Sequence, residues 1–381
     1  RRSSDLANVF SGSGLLGVTF AEDPTARTTA LSGLSGFAGV VQVGVPGSAT
    51  GDKLDLSGAD APDSTVNVAN GHTLQIGGSV APARLGGISV HGSGNAEGRG
   101  ALRLAANASL LEAPVTLLGD TTFASDAAGA TLAGPISGTA AAGSTNVLTQ
   151  GTASSAAGFT LSGAISDGPN GGRVALTHSK GTLTLAGNST YSGVTLVNGG
   201  GTLRLGVSDA LPVGGTLVVG GTNGVGNGVG NLHLGDFSQT IGSLVAASMG
   251  TAYNTVTVAP GQSLTIGGSD GIFVGIDAGV SSETRVRMTG GGALALTNPS
   301  ATVTLGKGQS DESGSGAGLL DRSDLSSVTL GSGEAPISEV RVAYGQMSGG
   351  TLTLSNTSNL LTVATLRVGD SLRLNASSGT M

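Results

Sequence analysis

The chain has 381 residues, of which 69 are glycine and 11 are proline, and its formal net charge is −7. Only 11% of the residues are charged while 38% are hydrophobic, which is the opposite of the composition of a disordered chain. Cysteine is absent and aromatic residues make up 3%, which excludes disulfides, thiolate metal sites, a cysteine nucleophile and a core of large rings. The acidic balance argues against a nucleic-acid partner, which would need a basic face.

The start of the chain does not resemble a signal peptide, because Arg1 and Arg2 are not followed by an apolar segment. We therefore expect a processed chain or a segment of a longer one. No apolar run is long enough to span a bilayer, so we expect no membrane insertion by this segment. The longest run, residues 37–45, is interrupted and is typical of a strand.

Short segments in which apolar and polar residues alternate recur along the chain, bounded by glycine, asparagine, aspartate or serine. This period of two is the pattern of half-buried strands, and helical periodicity is hard to find. In chain order, the sequence predicts strands at residues 65–68, 72–76, 101–104, 181–185, 201–205, 215–219, 231–234, 262–266, 293–296, 350–354 and 371–374.

The spacing of these strands indicates a solenoid. Near-identical strings begin at Gly181, Gly201, Gly215 and Asn231, at intervals of roughly 14 to 20 residues. Stacked coils would place leucine over leucine and valine over valine, which suits a chain with few large side chains. The predicted fold is therefore all-β, a right-handed parallel β-helix of about 20–25 residues per coil. An all-β sandwich or barrel is the alternative, but hairpin dipeptides do not lie between paired strands.

No clear domain boundary is visible in the sequence. Residues 1–60 are the least regular and predict irregular N-terminal coils or a cap, while residues 61–381 predict one continuous solenoid. Polar and glycine-rich stretches at 220–230 and 306–318 are predicted as loops that leave the solenoid at its corners.

Residues 94–246 resemble the autotransporter-associated β-strand repeat, also called the passenger-associated transport repeat. The clearest match is the segment 181–206, GTLTLAGNSTYSG followed by VTLVNGGGTLRLG, in which Asn188 and Tyr191 fall where the family places them. The resemblance implies a right-handed β-helix in a secreted or surface-displayed bacterial protein. The chain shows no C-terminal barrel translocator, so it is expected to be a fragment or a protein that uses the repeat without the autotransporter route.

Two strings match catalytic motifs by composition only. Residues 267–271 fit the G-x-S-x-G nucleophile elbow around Ser269, but strands are predicted on both sides, where the elbow needs a following helix. Residues 12–17 fit the G-x-G-x-x-G dinucleotide fingerprint without a strand–helix unit around it. With so many glycines, we interpret both matches as chance.

Histidines and carboxylates are the remaining candidates for chemistry. His72, His91, His178 and His233 have no metal-ligand spacing, so no metal site or cofactor is predicted. Paired carboxylates could serve a polysaccharide-cleaving β-helix enzyme or bind calcium, although we favour solvated corners. The candidates for cleavage are Asp52 with Asp55, Asp60 with Asp63, Asp311 with Glu312, and Asp321 with Asp324. The candidates for calcium are Asp311 with Glu312, and Asp270 with Asp277.

The sequence as a whole predicts a non-enzymatic structural or adhesive β-solenoid on the outer surface of a bacterial cell, with no catalytic, cofactor or metal residues. Its expected partners are other copies of the chain, stacked end to end into a filament or array, or components of the cell surface and matrix. Two alternatives are a β-helix polysaccharide hydrolase or lyase, and a passenger segment that assists autotransporter secretion.

Overall fold

A computed structural model shows an all-β chain that forms two compact units, Arg1–Gly193 (unit 1) and Val194–Met381 (unit 2). No helix occurs in the residues it describes, and so none that could cross a membrane. The described residues are 4–6, 11–18, 28–31, 34, 36–45, 51–56, 60–77, 83–105, 109–126, 129–151, 158–221, 228–246, 252–276, 282–307, 316–344, 348–370 and 378–380.

Unit 1 is built from short strands that pair in parallel with strands about one coil further along the chain. Thr139 donates to the carbonyl of Leu117, 22 positions earlier. The strands are Ser4–Leu6, Ser11–Gly12, Leu15–Val18, Thr28–Leu31, Gly36–Phe37, Val40–Val43, Lys53–Asp55, Asp60–Val68, Thr73–Ile76, Ala83–Gly92, Leu102–Leu104, Leu110–Glu112, Val115–Ser125, Ala130–Leu132, Ile136–Gly138, Thr145–Gln150, Phe159–Leu161, Ile165–Ser166, Arg173–His178 and Thr182–Leu185.

In the interior of unit 1, the parallel register places similar side chains of neighbouring coils opposite one another. Each β-branched side chain lies over the next in neighbouring coils, at most 2% exposed, so that one apolar column runs through the unit. Its members are Val41, Val66, Ile88, Val115, Ile136 and Ile165. Because side chains alternate along a strand, the next residue of each strand points outward, which gives a polar column of Gln42, Asn67, Ser89, Thr116, Ser137 and Ser166.

One corner of unit 1 requires glycine because successive coils approach closely there. A Cβ on Gly134 would collide with the carbonyl of Ala113, and one on Gly163 would collide with the carbonyl of Gly134. In the next coil a Cβ on Gly187 would lie 2.8 Å from the backbone nitrogen of Ala164. The three glycines therefore form a column that leaves no room for a side chain.

Unit 2 repeats this parallel arrangement with longer excursions between some strands. Ser326 donates to the carbonyl of Gly292, 34 positions earlier. The strands are Thr195–Val197, Thr202–Leu205, Thr216–Val219, Asn231–His233, Gln239–Ala246, Tyr253–Thr257, Ser263–Ile276, Ser282–Thr289, Ala293–Leu296, Thr302–Lys307, Gly316–Asp321, Ser327–Leu330, Ile337–Tyr344, Gly349–Thr353, Asn359–Leu361, Val363–Asp370 and Ser378–Thr380.

An apolar column also runs through unit 2, and its last member is exposed. Leu244, Ile272, Val303 and Val340 are fully buried and stack in register. The next member, Leu366, is 52% exposed, although it stands directly opposite Val340 in the neighbouring coil. The strand Val363–Asp370 therefore presents part of an apolar core at its surface.

The predicted fold, an all-β parallel β-helix, is confirmed, and the right-handed sense is the one expected for parallel crossover connections. The predicted strands 65–68 and 262–266 are parts of the longer strands Asp60–Val68 and Ser263–Ile276. The segment 371–374 lies outside the described residues, and the other predicted strands correspond to observed ones with shifts of at most one residue at either end.

The coil spacing inferred from the repeated strings was wrong. Asn231 pairs with Thr202, whereas the strand at Thr216 between them pairs with Ser243, so consecutive strands lie on different faces of the coil. The strings at intervals of 14 to 20 residues therefore do not mark whole coils.

The predicted domain division at residue 60 and the predicted continuity over residues 61–381 stay predictions. In the predicted corner loops, residues 222–227 and 308–315 lie outside the described part of the chain. The strand Gly316–Asp321 begins inside the second of these predicted loops.

Candidate functional site

The two motif matches lack the structure that their chemistry needs. Ser269 is exposed in the middle of the continuous strand Ser263–Ile276, where a nucleophile elbow would turn from a strand into a helix. Residues 12–17 lie on the strands Ser11–Gly12 and Leu15–Val18, and no helix follows in the described residues.

No group of three potential metal ligands, histidines included, occurs in the described residues. His178 is buried, with Nε2 3.0 Å from the carbonyl oxygen of Gly181, and it stacks in register on the buried Gln150. His233 is half-buried on an outward face beside Arg204, and burial, together with this arginine, lowers its pKa.

His72 is the most enclosed of the histidines. It is fully buried, and its Nδ1 accepts a hydrogen bond of 3.1 Å from the backbone N–H of Asp52. An Nδ1 that accepts carries no proton, so this arrangement holds the neutral ring. Burial lowers the pKa of His72, while the Asp52 carboxylate, 3.5 Å from Nδ1, and the backbone of Val45 oppose this only in part. The role is one of packing, because a Cβ on Gly44 would collide with the ring.

Two of the five predicted carboxylate pairs, Asp52 with Asp55 and Asp321 with Asp324, are held by structural hydrogen bonds. Asp55 accepts from the Gln75 side chain at 2.7 Å, and Asp324 accepts from the backbone N–H of Gly290 at 2.8 Å. Burial raises the pKa of Asp321, but hydrogen bonds from Ser323 and the Arg287 charge outweigh it and lower that pKa overall. Asp321 is therefore engaged as an ion, whereas Asp55 and Asp324 serve as hydrogen-bond acceptors within the fold.

The other carboxylate candidates do not form a described pair. Asp63 and Asp270 are exposed, while the Asp60 side chain and the whole of Asp277, Asp311 and Glu312 lie outside the described residues.

A cluster of five charged side chains joins neighbouring coils of unit 1, and the sequence analysis missed it. Glu97 accepts from Lys53 at 2.8 Å and from Arg103 at 2.7 Å. Asp126 pairs with Arg103 and with Arg99, the latter at 3.2 Å. Burial raises the pKa of Glu97, but the hydrogen bond from Lys53 and the three cations lower it overall. All five groups are paired within the cluster. We therefore interpret the cluster as a set of ion pairs that connects neighbouring coils and stabilises their packing.

A groove of about 620 Å³ on unit 1 is the candidate ligand site. Its polar lining residues are Gln42, Asn67, Asn70, Ser89 and His91. Val68 and Ala69 provide a buried apolar floor, and Leu118, 48% exposed, provides an apolar wall. The volume lies within the range of about 300–1,000 Å³ that small-ligand sites occupy.

The parallel register builds this groove. Gln42, Asn67 and Ser89 are successive members of the outward polar column, at the ends of the strands Val40–Val43, Asp60–Val68 and Ala83–Gly92. Asn70 lies just beyond the strand Asp60–Val68, and His91 is the last residue but one of the strand Ala83–Gly92. Sequence analysis singled out only His91, because the other groups meet through register between residues more than 20 positions apart.

Comparison with protein family models, curated proteins and solved structures gives no match for this chain.

The residues that carry the family resemblance have a clear structural position. Tyr191 is 1% exposed and is one of the largest fully buried side chains, while Asn188 is exposed. Tyr191 therefore packs in the core of unit 1.

Proposed function

We propose that this chain is a non-enzymatic structural and adhesive β-solenoid of the bacterial cell surface, which associates with further copies of itself. Support for a scaffold role comes from the stacked columns, which bury apolar residues inside and leave rows of amide and hydroxyl groups outside. Such rows offer repeated hydrogen-bonding positions to solvent or to a partner.

The proposal of self-association is based on the strand Val363–Asp370 of unit 2, whose apolar side chains are half-exposed. The strand Val363–Asp370 pairs along one edge with Ile337–Tyr344, and no described strand pairs along its other edge. Leu366 and Val368 continue buried columns there but are 52% and 45% exposed. A free strand edge with exposed apolar residues is a template for another strand.

A matching edge occurs at the first coils of unit 1. The strand Leu15–Val18 pairs in parallel with Val40–Val43, and no other described strand pairs with it. Leu15 is 73% exposed. We infer that the Val363–Asp370 edge of one copy accepts the Leu15–Val18 edge of another, because both are parallel strands and each pairs with a described strand along one edge only. Head-to-tail contacts of this type generate filaments when the rotation between copies does not close into a ring.

We propose a location on the bacterial surface because residues 181–206 resemble the autotransporter-associated repeat. Treatment of intact producing cells with a protease, followed by detection of the chain with an antibody, tests this location. We expect the signal to fall without cell lysis. A signal that falls only after lysis would overturn the surface location.

The non-enzymatic part of the proposal is tested by incubating the purified chain with neutral and anionic polysaccharides. Reducing ends report hydrolysis, and the absorbance of unsaturated products reports elimination. We expect neither to rise above the level of a heat-denatured sample. Release of either product would favour the hydrolase or lyase alternative.

A further inference from the structure

The groove of unit 1 offers hydrogen-bonding groups that no other part of the described chain uses. The side chains of Asn67, Asn70, Ser89 and His91 make no hydrogen bond to another described residue. Gln42 donates from Nε2 to the carbonyl of Gly44 at 3.2 Å, which leaves its side-chain oxygen directed elsewhere. The groove therefore combines amide donors and acceptors with a hydroxyl group and an imidazole.

The spacing of these groups is regular. Gln42, Asn67 and Ser89 stand opposite one another in adjacent parallel strands, which lie about 4.8 Å apart. They form a short row along the groove. A rigid sheet holds this row in place, so that a ligand would not have to order a loop on binding.

Apolar surface lies beside the polar row. Val68 and Ala69 are buried in the floor, and Leu118 exposes about half of its side chain at the wall. A ligand that fits both surfaces has hydroxyl groups along one side and C–H groups along another.

Charge narrows the ligand class further. The residues that line the groove include no aspartate, glutamate, lysine or arginine. An anionic ligand would find no cation to pair with, and a cationic ligand would find no carboxylate. The lining also lacks the pair of carboxyl groups that glycoside hydrolysis requires.

From these observations we propose that the groove binds a neutral carbohydrate and does not cleave it. The amide and hydroxyl row hydrogen-bonds to sugar hydroxyl groups, while Leu118 packs against a C–H face of the sugar. This inference rests on the adhesive part of the proposed function and names its ligand class.

The test is a binding titration of the purified full chain by isothermal calorimetry, with hexasaccharides of glucose, mannose and galactose as neutral probes and hexagalacturonate as the anionic probe. We expect at least one neutral hexasaccharide to bind at one site per chain, and hexagalacturonate to bind at least tenfold more weakly. Preference for the anionic probe, or no binding of any neutral probe, would overturn the proposal.

Two variants locate the binding site. Asn67→Ala removes one central hydrogen-bonding group and should weaken binding by about fivefold or more, since a hydrogen bond contributes about 1 kcal/mol. Gly119→Ala keeps every polar group but should also weaken binding, because its Cβ would lie 2.5 Å from Nε2 of His91 and would displace the ring.

Ser137→Ala is the matched control, because Ser137 belongs to the same outward column but does not line the groove. It should bind as the unmodified chain does. Equal loss in Asn67→Ala and Ser137→Ala would place binding outside the groove and overturn the assignment. Self-association, measured on the same samples by sedimentation, reports separately on the proposed function, so failure of one can be distinguished from failure of the other.

Discussion

At the scale of single residues, Arg322 is the most unusual side chain of unit 2. It is fully buried, and its two terminal guanidinium nitrogens have no hydrogen-bond partner in the described structure. Its Nε lies 3.5 Å from the carbonyl oxygen of Thr353. Burial lowers the pKa of Arg322 to about 10, so the group still carries its charge at neutral pH. A buried charge without a partner costs several kcal/mol of stability.

We therefore expect Arg322→Met to stabilise the protein by about 1–4 kcal/mol, since an apolar side chain of similar length would avoid this desolvation cost. Denaturant unfolding measures the change. Arg84→Met is the control, because Arg84 is exposed and pairs with Glu112 at 3.0 Å, and a surface pair contributes at most about 1 kcal/mol. A loss of stability in Arg322→Met would contradict the account and would mean that the guanidinium is paired.

His72 gives a prediction about pH. Its folded-state pKa is lowered by burial, whereas in the unfolded chain a histidine titrates near about 6.5. Below about pH 6.5 the unfolded chain therefore binds a proton that the folded chain does not, and the free energy of unfolding falls as the pH falls. We expect His72→Gln to reduce this dependence between about pH 5 and pH 7, measured by urea unfolding at each pH. An unchanged slope in the variant would show that His72 is not held neutral.

The glycine column predicts a steric effect. A Cβ on Gly163 would collide with the carbonyl of Gly134 and lie 2.8 Å from the nitrogen of Pro135. Because both neighbours are backbone, Gly163→Ala should destabilise the protein by about 1–3 kcal/mol. Gly158→Ala is the control, as nothing lies within 4 Å of its Cβ position, and it should change stability by less than about 0.5 kcal/mol. Equal effects of the two substitutions would argue against close stacking at this corner.

At the scale of elements, the strands and their inward faces could be predicted from the sequence. The strand Thr182–Leu185 shows why, because its alternation places Leu183 and Leu185 inside and Thr184 outside. The pattern depends only on neighbouring residues and on the period of two.

Pairing between strands could not be predicted in the same way. The strings GTLTL and GTLRL look alike because both are half-buried strands, and this likeness does not tell which face of a coil each occupies. Corner lengths vary from one coil to the next, so register is set by contacts between distant residues. The groove and the charged cluster both depend on that register.

Arg322 shows a different limit of the sequence analysis. Alternation along Leu320, Asp321 and Arg322 places the first and third side chains on the same inward face, so a signal was present. A charged residue in an interior position contradicts the usual preference for exposure, so this alternation did not lead to a prediction.

At the scale of the whole molecule, the central claim is that chains associate through the edge of the strand Val363–Asp370. Leu366 on this edge is 52% exposed, and burying it against a further coil would remove apolar surface from water. Leu366→Lys should prevent that contact, because it would place a charge where the next coil packs. Val213→Lys is the control, since Val213 is 54% exposed and lies outside this strand.

Sedimentation velocity of the purified full chain over a range of concentrations measures this association. The account predicts species that grow with concentration in the unmodified chain and in Val213→Lys, and a single small species in Leu366→Lys. A chain that stays monomeric at every concentration would contradict the claim, as would growth that Leu366→Lys leaves unchanged.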